Sequence, residues 1–391
     1  MHNLSSLLTG LCLLSFTFSP LMAQVMSSTF EAQSLGKVDI GYGLAIGDVD
    51  GDGKKDILLA DKTQFVWYRN GDWQRFVMVE NLTEKDNVCL AARDINGDGQ
   101  VEVAVGAQWN PGETSDTALS GSVHYLLRPE DPTQRWQPVQ LHHEPTVHRM
   151  RWVKTSSRQY QLIVLPLHGR GNKAGEGEGV KILGYSMPSD PTTPWDTTLL
   201  DQQMHMTHNL AVNEPAKEAS SLLIAGKEGV SRFTFDGSTW QQQPLAKLRQ
   251  PAGEVRMGSL GTERPFITTI EPIHGNRLML YSGKDFSRKT VLSDQLEQGH
   301  ALACADVLGL GRDQIIVGWR EPNREGKVGI KIFVPMDESG EVWTHHYIDD
   351  NGMACEDLQV ADLDEDGDLD IIAAGRATQN LKIYWNNKMS D

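Results

Sequence analysis

The fold is decided by "DVDGDGKKDILLAD", Asp48 to Asp61, where acidic side chains recur at every second position and then give way to an apolar run. Asp48, Asp50, Asp52 and Asp56, with Gly53 among them, have the spacing of a calcium loop. Alternate oxygens converge on one hard cation, the backbone oxygen of the seventh position (Lys54) joins them, and glycine permits the sharp turn. An EF-hand is excluded, because its twelfth position must be a bidentate Glu between two helices. Here that position is Leu59, and "DILLA" has the pattern of a buried strand. The stretch therefore reads as a β-turn tied by a cation.

The pattern recurs. "DINGDGQVEVAVG" offers Asp94, Asn96, Asp98, the backbone of Gln100, and Glu102 at the same offsets; "DLDEDGDLDIIAAG" offers Asp362, Asp364, Asp366, the backbone of Asp368, and Asp370. Asp, Asn and Gly favour turns without any metal, but three copies at identical spacing point to three structural Ca2+ ions. A fourth copy, "DVLGLGRDQIIVG" from Asp306, puts Leu308 and Leu310 where ligands belong, so it keeps the turn and not the ion.

The copies also set a period. Asp48 to Asp94 is 46 residues, Asp306 to Asp362 is 56, and the 212 residues between Asp94 and Asp306 hold four intervals of 53. Three unmarked units fit in that gap, making seven. An independent marker agrees: aromatic-led strands close the units at Trp73, Trp136, Trp195, Trp240, Phe286 and Trp343. The seventh unit ends at "LKIYWNN" without one, and "TFEAQSL" near Phe30 can supply it, closing a ring and removing the exposed sheet edge. A period of about 50 with four strands per unit predicts an all-β, seven-bladed β-propeller over residues 24–391.

On these loops the chain resembles the FG-GAP or VCBS type of calcium-loop propeller. Within that group "LPLHGRG", "EPIHGN", "GHALACADVLG" and "GMACEDLQVADLDEDGDLDIIAAGRA" resemble the propeller domain of aldos-2-ulose dehydratase. That resemblance implies a carbohydrate lyase removing water from keto-sugars. The fungal enzyme carries further β domains, and chemistry assigned to those does not transfer.

Composition narrows the classes. A formal charge of -16 without Lys or Arg clusters argues against nucleic acid. Residues 1–23, with the apolar run "LSSLLTGLCLLSFTFSPLMA", read as a signal peptide, so the mature chain is expected to be secreted or periplasmic with no transmembrane segment. Three cysteines remain, Cys89, Cys304 and Cys355, each in an apolar stretch, where a small buried hydrophobe is expected rather than a disulfide framework. No GxSxG, HExxH or dinucleotide fingerprint occurs.

If each calcium loop is the turn between strands one and two of a blade, the start of strand one and the end of strand two meet on the opposite face, about a strand length away. Six residues before the first acidic position stand Tyr42, Val88, His300 and Glu356; apolar patterns place His148 and His208 at the same height, with Arg256 close to it. Strand-two ends bring Asp61, Gln108, Trp109, His168, Lys227, Glu271, His274, Arg320 and Arg376. The catalytic candidates are His148, His208, His300 and Glu356, surrounded by His168, His274, Arg320 and Arg376. They are expected to line an open funnel, with "RGNKAGEGEG" (Arg170 to Gly179) as a flexible lid. Three His admit a second divalent metal such as Zn2+, and His, Arg and Glu together suit proton abstraction and enolate stabilisation. Two functions fit: a secreted carbohydrate lyase performing dehydration or β-elimination on a saccharide, or a non-catalytic glycan- or protein-binding propeller.

Overall fold

The computed structural model describes residues 29–157, 159–214, 220–262 and 264–387; the predicted signal peptide lies outside them. Each acidic loop is the turn of an antiparallel hairpin: β2 (Gly43–Gly47) returns as β3 (Asp56–Ala60), and β26 (Cys355–Ala361) returns as β27 (Asp370–Gly375). The described residues form 28 strands, numbered along the chain, in seven four-stranded sheets. The innermost strands are β2, β6 (Cys89–Arg93), β10 (Val147–Ser156), β14 (Thr207–Asn213), β18 (Glu254–Ser259), β22 (Gly299–Ala305) and β26. Each packs on the next, and β26 packs on β2, so the ring is complete. The protein is a seven-bladed β-propeller.

The apolar core lies between blades rather than on the axis. Seven buried clusters each join neighbouring sheets, from Val49, Leu58 and Trp67 against Val103 and Val105, round to Leu44 and Ile57 against Ile372 and Leu381. The axis is thereby left to polar groups and to space. Strand-leading tryptophans reach into this core while satisfying their one polar atom: Trp136 and Trp195 each donate Nε1–H to a proline carbonyl four residues back, at 3.0 Å.

The seventh sheet is completed by β1 (Thr29–Lys37), which runs antiparallel to β28 (Asn380–Asn387) with Phe30 opposite Asn386 and Ala32 opposite Tyr384. Trp385 Nε1–H donates to Gln33 Oε1 across this pair at 2.7 Å. Deleting residues 29–37 would leave the β28 edge unpaired, and the expected result is loss of soluble, cooperatively melting protein, checked by size-exclusion chromatography and circular dichroism. A truncated chain that stays monomeric with an unchanged melting curve would show the pairing to be dispensable. No helix among the described residues is long and apolar enough to cross a membrane. Cys89 and Cys355 are buried and all three described cysteines are free.

Candidate functional site

One layer of the ring, on the face away from the acidic loops, consists of Tyr42, Val88, His148, His208, Gly253, His300 and Glu356. In three blades the residue enters the hairpin regularly: the N–H groups of Tyr42, Val88 and Gly253 each donate at 2.9 Å to a carbonyl near the end of the second strand. In the other four, pairing skips a residue, from Val147 to Arg149, Thr207 to Asn209, Gly299 to Ala301, and Cys355 to Asp357. His148, His208, His300 and Glu356 are the extra residues of four β-bulges. A bulge breaks the strict alternation of a strand and re-aims one side chain, here toward the axis.

The imidazoles are locked by the ring itself. His148 Nδ1 lies 2.8 Å from the His208 carbonyl, His208 Nδ1 2.9 Å from that of Gly253, and His300 Nδ1 2.6 Å from that of Glu356. A carbonyl only accepts, so each Nδ1 carries the proton and each Nε2 keeps its lone pair. His274 enters from the loop between β19 (Pro265–Glu271) and β20 (Arg277–Ser282), with a left-handed φ of 52° that costs energy in a non-glycine residue. Gly253 makes room for it: a Cβ there would stand 3.2 Å from the His274 backbone nitrogen. Ring centroids are 4.5 Å apart for His208 and His274, 5.0 Å for His274 and His300, and 4.7 Å for His148 and His208.

Burial, helped by the charges of Arg149 and Arg320 respectively, holds His148 and His300 well below the ordinary histidine range. Burial with the neighbouring His208 lowers His274 to about 2. These rings are neutral at pH 7, the form a metal requires. One ligand atom from each of His208, His274 and His300 falls within 4.8 Å of the others, and His208 Nε2 approaches His274 Nε2 to 2.7 Å. Two facing lone pairs at that distance repel unless a proton or cation sits on one of them. The donor set fits a divalent metal with nitrogen preference, and the backbone carbonyls behind His208 and His300 are the outer-shell partners such ligands use.

Beside the imidazoles, Glu356 is clamped by two guanidiniums. Arg320 Nη1 donates to its two oxygens at 2.8 and 3.0 Å, and Arg376 Nη1 at 3.1 Å. Gln298, also at a left-handed φ of 52°, accepts from Arg320 Nη2 at 3.2 Å. Arg376 lies over the Tyr42 ring, whose hydroxyl donates to Asp86 at 3.0 Å, and Trp109 stacks on His148 at 5.0 Å. One residue below, Glu254 accepts from Asn209 Nδ2 at 2.6 Å and stands 3.4 Å from both His208 Nδ1 and Arg256 Nη1. Sequence reading misses Gln298, Asp86, Arg149, Asn209 and Glu254; Glu254 stands one residue past the position that the same offset reaches in the fifth blade, Gly253.

Four expectations need correction. The position matching the histidines in the fifth blade is Gly253, and Arg256 lies three residues further toward the loops, because apolar patterning cannot fix register in a blade without an acidic loop. His168 stands apart from the cluster, with its backbone bonded to Thr146 and bridged to Met206. The open funnel is instead a plug: His148, His208, His300 and Glu356 are at most 5% exposed, and only His274, Arg320 and Arg376 reach the surface appreciably. The Gly-rich segment is pinned, not free. Asn172 donates to the Glu178 and His205 carbonyls, Lys227 pairs with Glu176, and Arg170 bonds Glu144. Of the other strand-two ends, Asp61 caps backbone N–H groups of residues 39–41 and Glu271 accepts from Tyr281 and Thr269, both structural roles.

The acidic loops are folded around their own backbone. Asp48 accepts from Gly51 and Gly53 N–H, Asp94 from Gly97 and Gly99, and Asp362 from Gly367. Asp52, Asp98 and Asp366 each accept from the seventh-position N–H of Lys54, Gln100 or Asp368 at 2.8 Å. The ninth residues, Asp56, Glu102 and Asp370, are buried and accept the N–H of the second loop residue, Val49, Ile95 and Leu363 respectively. Asp48, Asp50 and Asp56 converge, as do Asp362, Asp364 and Asp366. One feature favours a cation: Asp362 Oδ1 is buried with no hydrogen-bond partner. In the second loop the Asn96 amide donates to Glu102 at 2.7 Å and to Asp98 at 3.2 Å. In the degenerate loop Gln314 replaces the ninth carboxylate, and its amide bonds Asp306, the Arg312 carbonyl and Leu308 N–H. That neutral amide does the bridging an ion would do.

Residues 120–284 match the family described as the aldos-2-ulose dehydratase β-propeller domain, and residues 48–105 match FG-GAP-like repeats. The aldos-2-ulose dehydratase of Phanerodontia chrysosporium is 23% identical over 314 residues, which are 71% of this chain and 34% of that protein; the chain thus spans about a third of the relative it matches. Among solved structures, BBS1N in complex with ARL6DN is similar at TM-score 0.58 and 12% identity, covering 93% of this chain and 98% of that one. The GH74 enzyme of Niastella koreensis is similar at TM-score 0.50 and 12% identity, covering 93% and 44%. These two likenesses concern the fold alone.

Proposed function

We propose that the chain is a secreted or periplasmic carbohydrate-active lyase, carrying out dehydration or β-elimination on a keto-sugar or related saccharide at the His/Glu/Arg plug. The observation that carries this is the convergence of His208, His274 and His300, each offering one ligand nitrogen, beside a carboxylate clamped by two arginines. Similarity to a dehydratase propeller supports the substrate class. Zn2+ or a similar ion on His208, His274 and His300 would supply Lewis-acid polarisation of a carbonyl oxygen. Arg320 and Arg376, at the exposed edge, orient the sugar oxygens and stabilise negative charge as it develops. His148 Nε2 takes the proton α to the carbonyl, the C–H electrons form the new C=C, and the β C–O bond breaks. The proton on His148 then passes to the departing hydroxyl, which leaves as water. Three Ca2+ ions at the acidic loops hold the hairpins that carry this layer.

Near-complete burial of four members of the plug favours a second reading, a non-catalytic propeller that binds a glycan or protein at the same face. The two are separated by incubating the metal-loaded protein with keto-sugars and uronate oligosaccharides and following ultraviolet absorbance of an unsaturated product. New absorbance supports the lyase; saturable binding with no absorbance change across the panel moves the conclusion to the binding module.

A further inference from the structure

Three residues toward the acidic loops from the histidine layer, the ring reads Ala45, Ala91, Arg151, Ala211, Arg256, Ala303 and Gln359. Four alanines in one layer leave the axis open, and all seven residues line a cavity of about 770 Å³ in the calcium-loop half of the channel. Its walls are otherwise largely aliphatic, from Leu90, Val212 and Leu302 among others, and Asp48, Asp94 and Asp362 stand at its rim. We propose that this cavity is a second ligand site, taking a small organic carboxylate clamped between Arg151 and Arg256.

The charges argue for an anion of low valence. Arg149, Arg151 and Arg256 face Glu254 and Asp357 in this part of the channel, an excess of one positive charge. Glu254 is engaged by Asn209, and Asp357 accepts the Leu44 and Leu358 N–H groups at 2.8 and 2.9 Å. Arg151 donates from Nη1 to the Met150 carbonyl at 2.8 Å, which uses one of the five N–H groups of a guanidinium. Arg256 likewise bonds the Val255 carbonyl at 2.7 Å and keeps only a longer approach to Glu254. Burial lowers the proton affinity of Arg151; Asp357 opposes this and Arg256 adds to it. A desolvated guanidinium without a matching carboxylate is costly, and a ligand carboxylate can meet its fork with two parallel bonds. The other cations of the lining are engaged elsewhere: Arg93 forms a double bond pair with Glu214 at 2.7 Å, and Lys55 reaches the Asp362 carbonyl. The acidic rim disfavours phosphates and polyanions, and the aliphatic walls suit a short apolar body.

Calorimetric titration of sodium hexanoate into the calcium-loaded protein at constant chloride tests this. One saturable site is expected, absent with 1-hexanol. Arg151→Gln and Arg256→Gln are each expected to weaken it by about tenfold or more, the loss of a charge-assisted bond, whereas Arg320→Gln at the histidine plug leaves it unchanged. If a glutamine variant does not fold, Arg151→Lys, which keeps the charge and loses the fork, is expected to weaken binding while preserving the melting temperature. No saturable heat with wild type, equal affinity in the Arg151 and Arg256 variants, or loss of binding in Arg320→Gln would each overturn the proposal. None of these outcomes bears on turnover at the plug, so the lyase reading stands or falls separately.

Discussion

Stripping calcium is expected to lower the melting temperature by about 10 °C at pH 8 and by much less at pH 5. The size follows from mass action: an ion bound only by the folded form at a hundred times its Kd contributes about 2.7 kcal/mol, and three such sites sum to several degrees or more in a chain of this length. The pH dependence follows from the ninth-position carboxylates. Without a cation, burial pushes Asp56 up to about 7 and Asp370 up to about 6, from an ordinary value of 3.8, with backbone N–H groups opposing the shift. Glu102 is raised for the same reason. A raised folded-state pKa means that the folded chain holds protons the unfolded chain has released. Its favourable contribution is complete below about pH 4 and is lost as pH rises through 6 to 7. The cation-free protein therefore weakens between pH 4 and 7, while Ca2+ takes the place of those protons and removes the penalty. The gap between calcium-loaded and calcium-stripped melting curves should widen with pH over that window. A gap independent of pH, or wider in acid, would falsify the assignment of these carboxylates as ligands.

The same loops explain how much of the architecture was legible in the sequence. Asp48, Asp94 and Asp362 fix both a period and a phase, because each acidic turn is the end of one strand and the start of another. Trp136, Trp195 and Trp240 carry that phase through blades without acidic turns. Once phase is known, His300 and Glu356 follow by counting from their loops, and His148 and His208 follow from aligning the apolar patterns of the unmarked blades. What counting cannot give is direction. His148, His208, His300 and Glu356 reach the axis together because each is an extra residue in a bulge, and a bulge depends on how the partner strand pairs. His274 is a different case. It comes from a loop at a left-handed φ and occupies the space that Gly253 vacates, so its place is written in a glycine 21 residues earlier. His168 fails for the opposite reason, since the end of a strand fixes height and not distance from the axis.

The plug also separates two kinds of buried charge. Glu356 is held by arginines that remain partly exposed, at 14% for Arg320 and 41% for Arg376, so a ligand arriving from that face can compete for them. Asp357, one residue on, accepts the Leu44 N–H of the neighbouring blade and ties β26 to β2. One residue of register therefore divides a ligand-facing carboxylate from a structural one.

If His208, His274 and His300 hold the metal proposed above, replacing His208 or His300 with Ala is expected to release it and to cut turnover by about 10³-fold, while melting temperature in calcium changes by only a few degrees. His208 supplies one of three convergent Nε2 atoms, and its Nδ1 bond to Gly253 and ring contact with His274 hold the second. Removing a Lewis-acid ligand and its partner's orientation deletes an effect on the scale of general acid–base catalysis. Neither side chain belongs to the seven interblade clusters that hold the ring together, so the fold should survive. His168→Ala is the informative contrast: equal in composition and present on the same face, it touches none of the cluster and is expected to keep both metal and turnover. Metal content by mass spectrometry and product absorbance are read on the same preparations. Loss of metal with turnover retained would assign the imidazoles a structural ion and leave Glu356, Arg320 and Arg376 as the chemistry. Metal and turnover both unchanged in His208→Ala and His300→Ala would leave the cluster as a packed plug, and the face above it as a binding surface.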